Sequence, residues 1–537
     1  MISKQEQAVF RSTLFRHLDG IVTAPSAYAL FEKGICDYLL SNQKSTLQEL
    51  TREFNANEGY LNVALRVLCS QGWLTQEVDN AQDEIIFSIN DLSEIAFNHF
   101  YLYKDVVELL KLSEKYHSRK FEVAPFLVLE KIFIKCKDVF GLVISKNEKT
   151  EEVQQQIFKH IEGIILGPSI VRLGMNGMFH KYFMEASFKA EEFHKDALNF
   201  SKLLDIFTHF GWFTNKNGTY RFTDKGYYFA RRASAYGVTV SYIPTLRKLD
   251  ELIFGHPKAA KEQGIGTGEK HVDRAMNVWG SGGAHSSYFK VVDEIIIELF
   301  NRPIADQPKG ILDMGCGNGA FLQHLYYVIE QQTLRGKMLN EYPLILVGAD
   351  FNQAAIKITK ANLIQADIWA KVVFGDIGRP DLLSQDLEDN YGVNLKELLN
   401  VRTFLDHNRI WKSPEHPRPD RLSTSTGAFA FEGERINNKL VEDSLLEHFT
   451  HWAPYVKKHG LLIIELHTVN PSLVAKNLGK TAATAYDATH GYSDQYIVEV
   501  DVFHKIMEEA GLVSDPKLGR KFPNSDIATV SVNLYSS

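Results

Sequence analysis

The stretch Asp313-Met-Gly-Cys-Gly-Asn-Gly319 follows the apolar run Gly310-Ile-Leu and precedes the helix-forming sequence Ala320-Phe-Leu-Gln-His-Leu. An acidic residue and alternate glycines between a strand and a helix predict a turn at the carboxyl end of a parallel strand, where open α/β sheets bind ligands. Glycine lets the backbone approach a ligand closely because it has no Cβ. The pattern predicts a cofactor site and leaves two cofactors open, S-adenosylmethionine and a nicotinamide dinucleotide.

The residues around the turn favour S-adenosylmethionine. Gly315-x-Gly317-x-x-Ala320 fits the relaxed dinucleotide fingerprint, but a single match of this kind is weak evidence. Asp313 would attract the ammonium group of a methionine moiety, whereas it would repel a pyrophosphate. The acidic residue that ends the next strand, Asp350, lies about 30 residues after the turn rather than the ~20 expected in dinucleotide-binding folds.

Two further strand ends complete the predicted cofactor site. The strand Leu344–Asp350 ends in a carboxylate that would bond ribose hydroxyls, and the strand Ala370–Gly375 is followed by residues suited to the edge and face of an adenine. Three such signals in order predict an α/β fold with a Rossmann-like, seven-stranded sheet at the C-terminus. The predicted cofactor-binding residues are Asp313, Gly315, Gly317, Gly319, Asp350, Phe351, Asp376 and Ile377.

Composition limits the class of protein. A chain of 537 residues with 45% hydrophobic and 23% charged residues is expected to form several globular domains. The net charge of -7 is spread along the chain, which argues against a nucleic-acid surface. The start lacks an apolar signal core, no apolar run reaches the ~20 residues that span a bilayer, and the cysteines show no CxxC spacing. We expect a cytoplasmic protein with reduced thiols and no nucleic-acid or membrane partner.

The N-terminal half contains a duplication. His17-Leu-Asp-Gly-Ile-Val-Thr-Ala-Pro-Ser26 recurs as His160-Ile-Glu-Gly-Ile-Ile-Leu-Gly-Pro-Ser169, and each copy is followed by a helix that ends in Gly-Trp and by a short strand. Helices followed by a small hairpin predict two mainly helical, winged-helix-like units. The helices that would read DNA have too few basic residues for phosphate contacts, and their dense apolar residues are typical of packing or of a homodimer interface.

Four segments are predicted along the chain. They are two winged-helix-like repeats, a linker-and-lid segment and the cofactor domain, at residues 1–140, 141–254, 255–308 and 309–537. The linker prediction depends on the glycine-rich run 255–270, and within the lid the sequence Gly280–Gly283 predicts a turn. Such a turn would provide the hinge that closure over a site requires.

Candidate catalytic residues follow strand four. The run that ends at Arg409 contains Asp406 and His407, an imidazole beside a carboxylate, and Arg402 adds a second fixed positive charge. Strand ends are where ligand-facing groups lie in this architecture. The loop 412–433, rich in Pro and Ser, is expected to stay mobile or to cover the site.

A second group of polar residues follows strand five. The run Gly460–His467 ends in an imidazole, and the later segment Tyr486–Glu499 contains His490 and Gln495. Imidazole with oxygen ligands suits iron, manganese or zinc, so His467, His490 and Gln495 would surround one metal ion. Hydrogen bonding around a substrate is the other interpretation, because no compact metal-binding spacing is present.

Four of these segments together resemble polyketide-synthase-type C-methyltransferases, which are class I enzymes that use S-adenosylmethionine. The segments are Asp273–His285, the glycine run 313–319, Arg402–Arg409 and Ala488–Tyr496. The similarity covers residues 271 to 537 well, whereas the N-terminal half resembles the helical lid of such enzymes more loosely. The similarity is to a subgroup of these enzymes that uses a mononuclear metal, typically iron. It implies that His467 and Gln495 are the metal ligands.

The resemblance implies methyl transfer to the α-carbon of a carrier-bound acyl or β-keto acyl thioester. His407 or His490 would accept the proton beside Arg409, and iron or manganese would polarise the substrate carbonyl. No carrier, ketosynthase or acyltransferase segment accompanies the domain, so an enzyme acting in trans or on a small acid is open. Without the metal, the imidazoles would deprotonate a hydroxyl, so a small-molecule O-methyltransferase with an N-terminal dimerisation domain is the alternative. A nicotinamide-dependent oxidoreductase is the alternative of another class.

Overall fold

The chain is a mixed α/β protein with a helical N-terminal half. The computed structural model describes residues 2–112, 116–117, 120–121, 123–181, 187–261 and 270–537. The helices are α1 (Lys4–Lys33), α2 (Ile35–Asn42), α3 (Leu47–Phe54), α4 (Glu58–Ser70), α5 (Ser93–Phe97), α6 (Lys104–Lys111), α7 (Val123–Lys137), α8 (Glu148–Met175), α9 (Met178–Lys181), α10 (Ala190–Phe193), α11 (Ala197–His209), α12 (Asp224–Ala230), α13 (Gly237–Ser241), α14 (Ile243–Leu246), α15 (Leu249–Phe254), α16 (Arg274–Phe300), α17 (Ala320–Gln332), α18 (Gln353–Gln365), α19 (Pro380–Tyr391), α20 (Asn438–Val456), α21 (Pro471–Ala475), α22 (Ala483–Gly491) and α23 (Val500–Glu509). The strands are β1 (Lys44–Thr46), β2 (Thr75–Asp79), β3 (Glu84–Ser88), β4 (Tyr116–His117), β5 (Lys120–Phe121), β6 (Phe188–Lys189), β7 (Phe213–Lys216), β8 (Thr219–Phe222), β9 (Gly310–Met314), β10 (Ile345–Asp350), β11 (Lys371–Phe374), β12 (Leu398–Thr403), β13 (Ala430–Phe431), β14 (Glu434–Arg435), β15 (Leu461–Leu466), β16 (Val513–Ser514), β17 (Arg520–Phe522) and β18 (Val530–Ser536).

A largely parallel sheet forms the core of the C-terminal half. Its strands run in the order β11-β10-β9-β12-β15-β18-β16, and β17 also pairs with β18. The pairs from β11 to β15 are parallel, whereas β18 is antiparallel to its three neighbours. Strands β9 and β15 are buried along their whole length, as expected of central strands covered on both faces. This is the Rossmann-like arrangement that the sequence predicts.

The sheet has eight strands where the sequence predicts seven. Strands β16 and β17 pair with opposite ends of β18, near Ser536 and near Val530. The segment between them contains Pro516, which has no N–H for the ladder, and Gly519. One edge strand is thereby divided into two.

The strand order reverses between β9 and β12. From β9 the sheet extends through β10 to β11, and β12 then pairs with the other side of β9. Met314 in β9 is in register with Arg402 in β12 and with Ala349 in β10, so these strands end at the same edge. Ligands bind outside the carboxyl ends of the strands at such a switch point. The residues that follow Met314 and Thr403 are therefore placed for a site.

A helical unit with a small three-stranded sheet occurs twice in the N-terminal half. Strands β1, β3 and β2 form one three-stranded sheet, and β6, β8 and β7 form the other. The helices before the hairpins, α4 and α11, are each followed by a glycine with positive φ, Gly72 or Gly211, which lets the chain leave the helix in the left-handed region. A fully buried tryptophan, Trp73 or Trp212, comes next. Each half of the duplication thus has helices followed by a small hairpin.

The long helices α1 and α8 contain the duplicated sequence and cross at a glycine of each copy. A Cβ on Gly20 would lie 2.2 Å from Cα of His160, and a Cβ on Gly163 would lie 2.5 Å from the carbonyl oxygen of His17. A histidine of each helix also contacts a tyrosine of the other repeat; Nδ1 is 2.7 Å from the hydroxyl oxygen in both pairs, His17 with Tyr236 and His160 with Tyr103. The two copies therefore form an internal pair.

The chain divides into two compact units. The first comprises Met1–His285, Ala428–Ile436 and Asn470–Asp494, and the second comprises Ser286–Gly427, Asn437–Val469 and Gln495–Ser537. Two segments of the C-terminal half, with β13–β14 and α21–α22, thus belong to the first unit. The boundaries of the four predicted segments stay predictions.

The predicted turn at Gly280–Gly283 is wrong, because this stretch is helical within α16. Close packing explains the glycine at its start, since a Cβ on Gly280 would lie 2.5 Å from the backbone nitrogen of Val238. Of the connector predicted over residues 255–270, residues 262–269 lie outside the described part of the chain.

The loop 412–433 is fixed to α20 and α23 by ion pairs of Arg421, of which the one with Asp443 is buried. Arg421 donates from Nε to Asp443, at 2.5 Å, and from Nη2 to Glu509, at 2.6 Å. Charge-assisted bonds of this length hold both partners firmly. The centre of the loop is therefore anchored, which contradicts the expectation that it stays mobile.

Two general features concern membranes and thiols. None of the helices in the described residues combines the length and the apolar character needed to cross a bilayer. The four cysteines are free, as expected of reduced thiols, and burial raises the pKa of Cys36 and of Cys69.

Candidate active site

The glycine turn after β9 has a backbone that glycine adopts without strain. Gly315, Gly317 and Gly319 have φ values of 78°, 58° and 79°, and α17 begins at the next residue. A Cβ on Gly315 would lie 2.9 Å from the side chain of Leu405, which follows β12. The turn is therefore closely packed against the loop that contains His407.

Asp313 lies immediately before this turn as a buried carboxylate. It is 1% exposed, and neither of its side-chain oxygens has a hydrogen-bond partner among the described residues. Burial, with the charge of Asp350 as a smaller cause, raises the pKa of Asp313 to about 7. An unpartnered buried carboxylate is unfavourable, and a cationic ligand group would relieve that cost. Asp313 therefore fits the ammonium group of S-adenosylmethionine.

Asp350 joins the turn to the end of β10. Its Oδ2 accepts a hydrogen bond from the Gly317 N–H at 3.0 Å, and its Oδ1 accepts one from the Asn352 N–H at 2.8 Å. A carboxylate has about four acceptor positions, so capacity for ribose hydroxyls remains. The ring of Phe351, 60% exposed, lies 5.3 Å from that of Phe374, 50% exposed. Two exposed rings at adjoining strand ends suit the face of an adenine.

Asp376 and Ile377 follow β11 at the same edge. Asp376 Oδ1 accepts from the Gly378 N–H at 2.8 Å, which shapes the turn. The carbonyl oxygen of Ile377 accepts from the indole N–H of Trp452 on α20, at 2.7 Å. All eight predicted cofactor-binding residues thus lie at the ends of the neighbouring strands β9, β10 and β11.

His407 and Glu465 form a buried pair. Nδ1–H of His407 donates to Glu465 Oε1 at 2.5 Å, and the side chains are 7% and 1% exposed. His407 lies in the short helix after β12 and Glu465 near the end of β15, so two adjacent parallel strands bring them together. A carboxylate that accepts from Nδ1 fixes the tautomer and makes Nε2 the basic atom. This is the arrangement of a general base.

Buried charges surround this pair. Arg402 Nη1 and His448 Nε2 both donate to Asp406 Oδ1, at 2.6 Å and 2.8 Å. Arg409 donates to two carbonyl oxygens, that of Asp406 at 2.9 Å and that of Ser444 at 3.2 Å. Burial lowers the pKa of Arg409 to about 10, so it is charged at neutral pH. Arg409, predicted as catalytic, supports the loop that contains the base.

The residues predicted to bind a metal do not fit one. His467 is fully buried, its Nδ1–H donates to the carbonyl oxygen of Val498 at 3.1 Å, and its Nε2 accepts from the hydroxyl of Ser531 at 2.8 Å. Both ring nitrogens are therefore engaged. Gln495 Nε2 donates to Asn408 Oδ1 at 2.9 Å. Within the described ranges, no three His, Cys, Asp or Glu side chains cluster as metal ligands would. The donor types would suit iron or manganese, but His467 has no ring nitrogen left for a metal in this arrangement.

His490 belongs to the first compact unit. It lies at the end of α22, where its Nδ1–H donates to the carbonyl oxygen of Tyr486 at 2.8 Å. In the same unit Asp494 accepts from the hydroxyl of Tyr60 at 2.9 Å and from Lys261 Nζ at 2.5 Å. The catalytic role of His490 stays a prediction.

The sequence patterns do not predict Glu465, although a signal for it exists. It is the one acidic residue in the otherwise apolar strand Leu461–Leu466. Carboxylates are almost never fully buried without a partner, so an acid in a buried strand indicates an ion pair or a site. The sequence pattern instead indicates the neighbouring His467, because it ends the apolar run Gly460–His467.

Family models match three parts of the chain. A methyltransferase model described as the AprA MT2-like domain matches residues 269–533. The AprA N-terminal domain matches residues 10–76, and the AprA winged helix domain matches residues 162–256. No curated protein matches the chain.

Several solved structures are similar to the chain at low identity. An O-methyltransferase family protein from Burkholderia thailandensis is 11% identical over 69% of this chain and 95% of that chain, with a TM-score of 0.39. An O-methyltransferase family 2 protein from Planctomyces limnophilus DSM 3776, solved with apigenin, is 12% identical over 98% and 95%, also with a TM-score of 0.39. The DszA carbon methyltransferase is 11% identical over 68% and 88%, with a TM-score of 0.28. Similarity at this level assigns no acceptor.

Proposed function

We propose that this chain, which is a class I S-adenosylmethionine-dependent methyltransferase, methylates the α-carbon of an acyl or β-keto acyl thioester. The observation that supports this most is the buried His407–Glu465 pair in the loop packed against the glycine turn. A carbon acid must lose a proton before it can accept a methyl group, and the pair has the geometry of a general base. The resemblance to C-methyltransferases favours a carbon acceptor on independent grounds.

The proposed cofactor-binding residues would contact three parts of S-adenosylmethionine. Asp313 would pair with the ammonium group, Asp350 would bond the ribose hydroxyls, and Phe351 with Ile377 would enclose the adenine. When bound, S-adenosylmethionine supplies an electrophilic methyl group. The chain's task is then to bring the acceptor carbon to that methyl group in line and to remove its proton.

Proton removal depends on the His407–Glu465 pair. Nε2 of His407 takes the proton from the acceptor α-carbon, and the electron pair of the broken C–H bond becomes the enolate. The resulting imidazolium is stabilised by the carboxylate of Glu465, which already accepts from Nδ1 at 2.5 Å. The charge that develops on the imidazole therefore has a counter-charge in place before the reaction begins.

Methylation of a hydroxyl is the second candidate, because the same base would deprotonate an alcohol or a phenol. The match to a methyltransferase model decides against the nicotinamide-dependent alternative. Whether the thioester is carrier-bound or free, whether the chain forms a homodimer, and its cytoplasmic location stay predictions.

The test uses two probes and one isotopic label. Purified protein is incubated with methyl-labelled S-adenosylmethionine and either acetoacetyl-pantetheine, a carbon acid, or catechol, a hydroxyl acceptor. We expect the label on the α-carbon of the thioester, located by NMR. Methylation of catechol alone would contradict the proposed acceptor.

Two variants test the base. His407→Ala should lower the turnover number on the thioester by about 10²-fold or more, the usual contribution of a positioned base. His451→Ala, an exposed histidine of α20, is the matched control and should retain full turnover. Full turnover by the His407 variant would refute the role of this base.

A further inference from the structure

The carboxylate of Glu465 is held by two backbone groups as well as by His407. The Leu466 N–H donates to Oε1 at 2.7 Å, and the Asp406 N–H donates to Oε2 at 3.0 Å. The position of Glu465 therefore depends on where the backbone of Asp406 lies. Asp406 and His407 are also consecutive residues of one short helix, so whatever fixes Asp406 orients both members of the base pair.

Two side chains fix the carboxylate of Asp406. Arg402 Nη1 donates to Oδ1 at 2.6 Å, and His448 Nε2 donates to the same oxygen at 2.8 Å. Asp406 is 1% exposed and Arg402 is fully buried. Water therefore does not compete for the hydrogen bonds between these two side chains. Their electrostatic attraction acts at the low dielectric of the protein interior.

Arg402 is anchored in the sheet and against an aromatic ring. It belongs to β12, where it pairs with Met314 of β9, and its guanidinium lies 4.0 Å from the ring centroid of Trp452. An arginine over an indole ring is a favourable cation–π contact. Three rigid elements, β9, β12 and α20, thus fix the position of the Arg402 guanidinium.

The charges around the base cancel. Arg402 and Arg409 are positive, and Asp406 and Glu465 are negative. Burial lowers the pKa of His448 to about 3, so this histidine is neutral at the pH of the reaction.

His467 and Tyr496 are further neighbours of this cluster. Burial likewise lowers the pKa of His467, which directly follows the strand of Glu465, to about 3. Tyr496 contacts the loop by donating its backbone N–H to the carbonyl oxygen of His407 at 2.9 Å. A proton taken up by His407 therefore enters a cluster in which these four charges balance.

We propose that Asp406 and Arg402 are positioning residues for methyl transfer: their buried ion pair orients the His407–Glu465 base and balances the charge around it. This inference rests on the proposed function. It predicts that removing the charge of Asp406 or of Arg402 changes how tightly His407 binds a proton. Loss of the negative charge should weaken proton binding, and loss of the positive charge should strengthen it.

The experiment measures proton removal separately from methyl transfer. Acetoacetyl-pantetheine is incubated with enzyme and S-adenosylhomocysteine in deuterated buffer, and enzyme-catalysed exchange at the α-carbon is followed by NMR across pH. Asp406→Asn keeps the shape of the side chain and removes a negative charge. The acid limb of the curve of exchange rate against pH should therefore move to lower pH by about one unit or more. Arg402→Gln removes a positive charge, so the limb should move to higher pH.

Two charge-preserving variants are the controls. Arg402→Lys keeps the positive charge, and His448→Gln removes a neutral partner, so both should lower the exchange rate through lost orientation without moving the limb. If a charge-removing variant does not fold, judged by thermal melting, the other one and the two controls still test the inference.

The outcomes separate the inference from the proposed function. Shifts in the same direction, no shift with either charge-removing variant, or a shifted limb with Arg402→Lys would overturn the role of the ion pair. Wild-type protein that neither exchanges nor methylates the thioester would instead overturn the proposed function itself.

Discussion

Replacing Asp313 by Asn should make the ligand-free protein more stable and the ligand-bound protein less so. The carboxylate is buried without a partner, and its pKa is raised from the ordinary value of 3.8 to about 7. The folded protein therefore binds this proton more tightly than the unfolded chain does. Stability contributed by the proton is present at low pH and is lost as pH rises from 3.8 to about 7. An amide carries no charge at any pH and has no such loss.

The magnitude follows from the two pKa values. The full difference corresponds to about 4 kcal/mol of unfolding free energy, at ~1.36 kcal/mol for each pH unit. Between pH 5.5 and pH 8 the stability gap between Asp313→Asn and the wild type should widen by about 2 kcal/mol. For a unit of this size, that is about 4 °C or more in melting temperature.

The assay is thermal melting of ligand-stripped protein at both pH values, with calorimetry of S-adenosylhomocysteine binding. Asp313→Asn should melt above the wild type at pH 8, and the gap should shrink at pH 5.5. Binding should weaken by about 3 kcal/mol, or ~100-fold, because a buried charge partner is lost. Asp389→Asn, at an exposed position of α19, is the matched control and should show no gap that depends on pH.

Two results would refute this reasoning. A stability gap that is constant with pH would mean that the carboxylate is not charged and unpartnered in the ligand-free protein. Affinity for S-adenosylhomocysteine equal to that of the wild type would remove Asp313 from the cofactor site.

Three further changes test other parts of the structure. Glu465→Gln should lower turnover on the thioester probe by about 10²-fold or more while calorimetry shows unchanged binding of S-adenosylhomocysteine, since only the charge beside the base is lost; unchanged turnover would remove it from the reaction. Gly315→Ala, with φ at 78° and a leucine 2.9 Å from the added Cβ, should weaken that binding and cost about 1–2 kcal/mol in backbone strain; wild-type affinity would contradict the packed turn. Gly163→Ala, whose Cβ would lie 2.5 Å from the carbonyl oxygen of His17, should lower the melting temperature, whereas Gly282→Ala, with open space around it, should not.

The strand ends of the proposed cofactor site could be predicted because their signals are local. An apolar run followed by an acidic residue or a glycine marks the end of a strand wherever it lies in the sheet, so Asp313, Asp350 and Asp376 are found without knowledge of the neighbours. The partner of His407 could not be found in this way. Glu465 meets it only because β15 lies beside β12, and that adjacency is a property of the whole sheet.

The errors have the same origin. The glycine at position 280 indicates a turn by its sequence neighbours, yet it is helical and allows the close approach of Val238 from another element. His467 has the residue type and position of a ligand, but its surroundings satisfy both ring nitrogens within the protein. Residue type limits what a side chain is able to do, whereas tertiary packing decides whether it is available.

The internal pairing of α1 with α8 also has an evolutionary consequence. A protein that pairs two identical copies receives every substitution twice, at both symmetric positions, so neither side can change alone. Here the two halves are encoded separately and have already diverged: Glu162 lies 3.3 Å from His17 Nε2, whereas the equivalent Asp19 is one methylene shorter. Joining both copies in one chain removes the requirement for symmetry, and each half becomes free to acquire its own task.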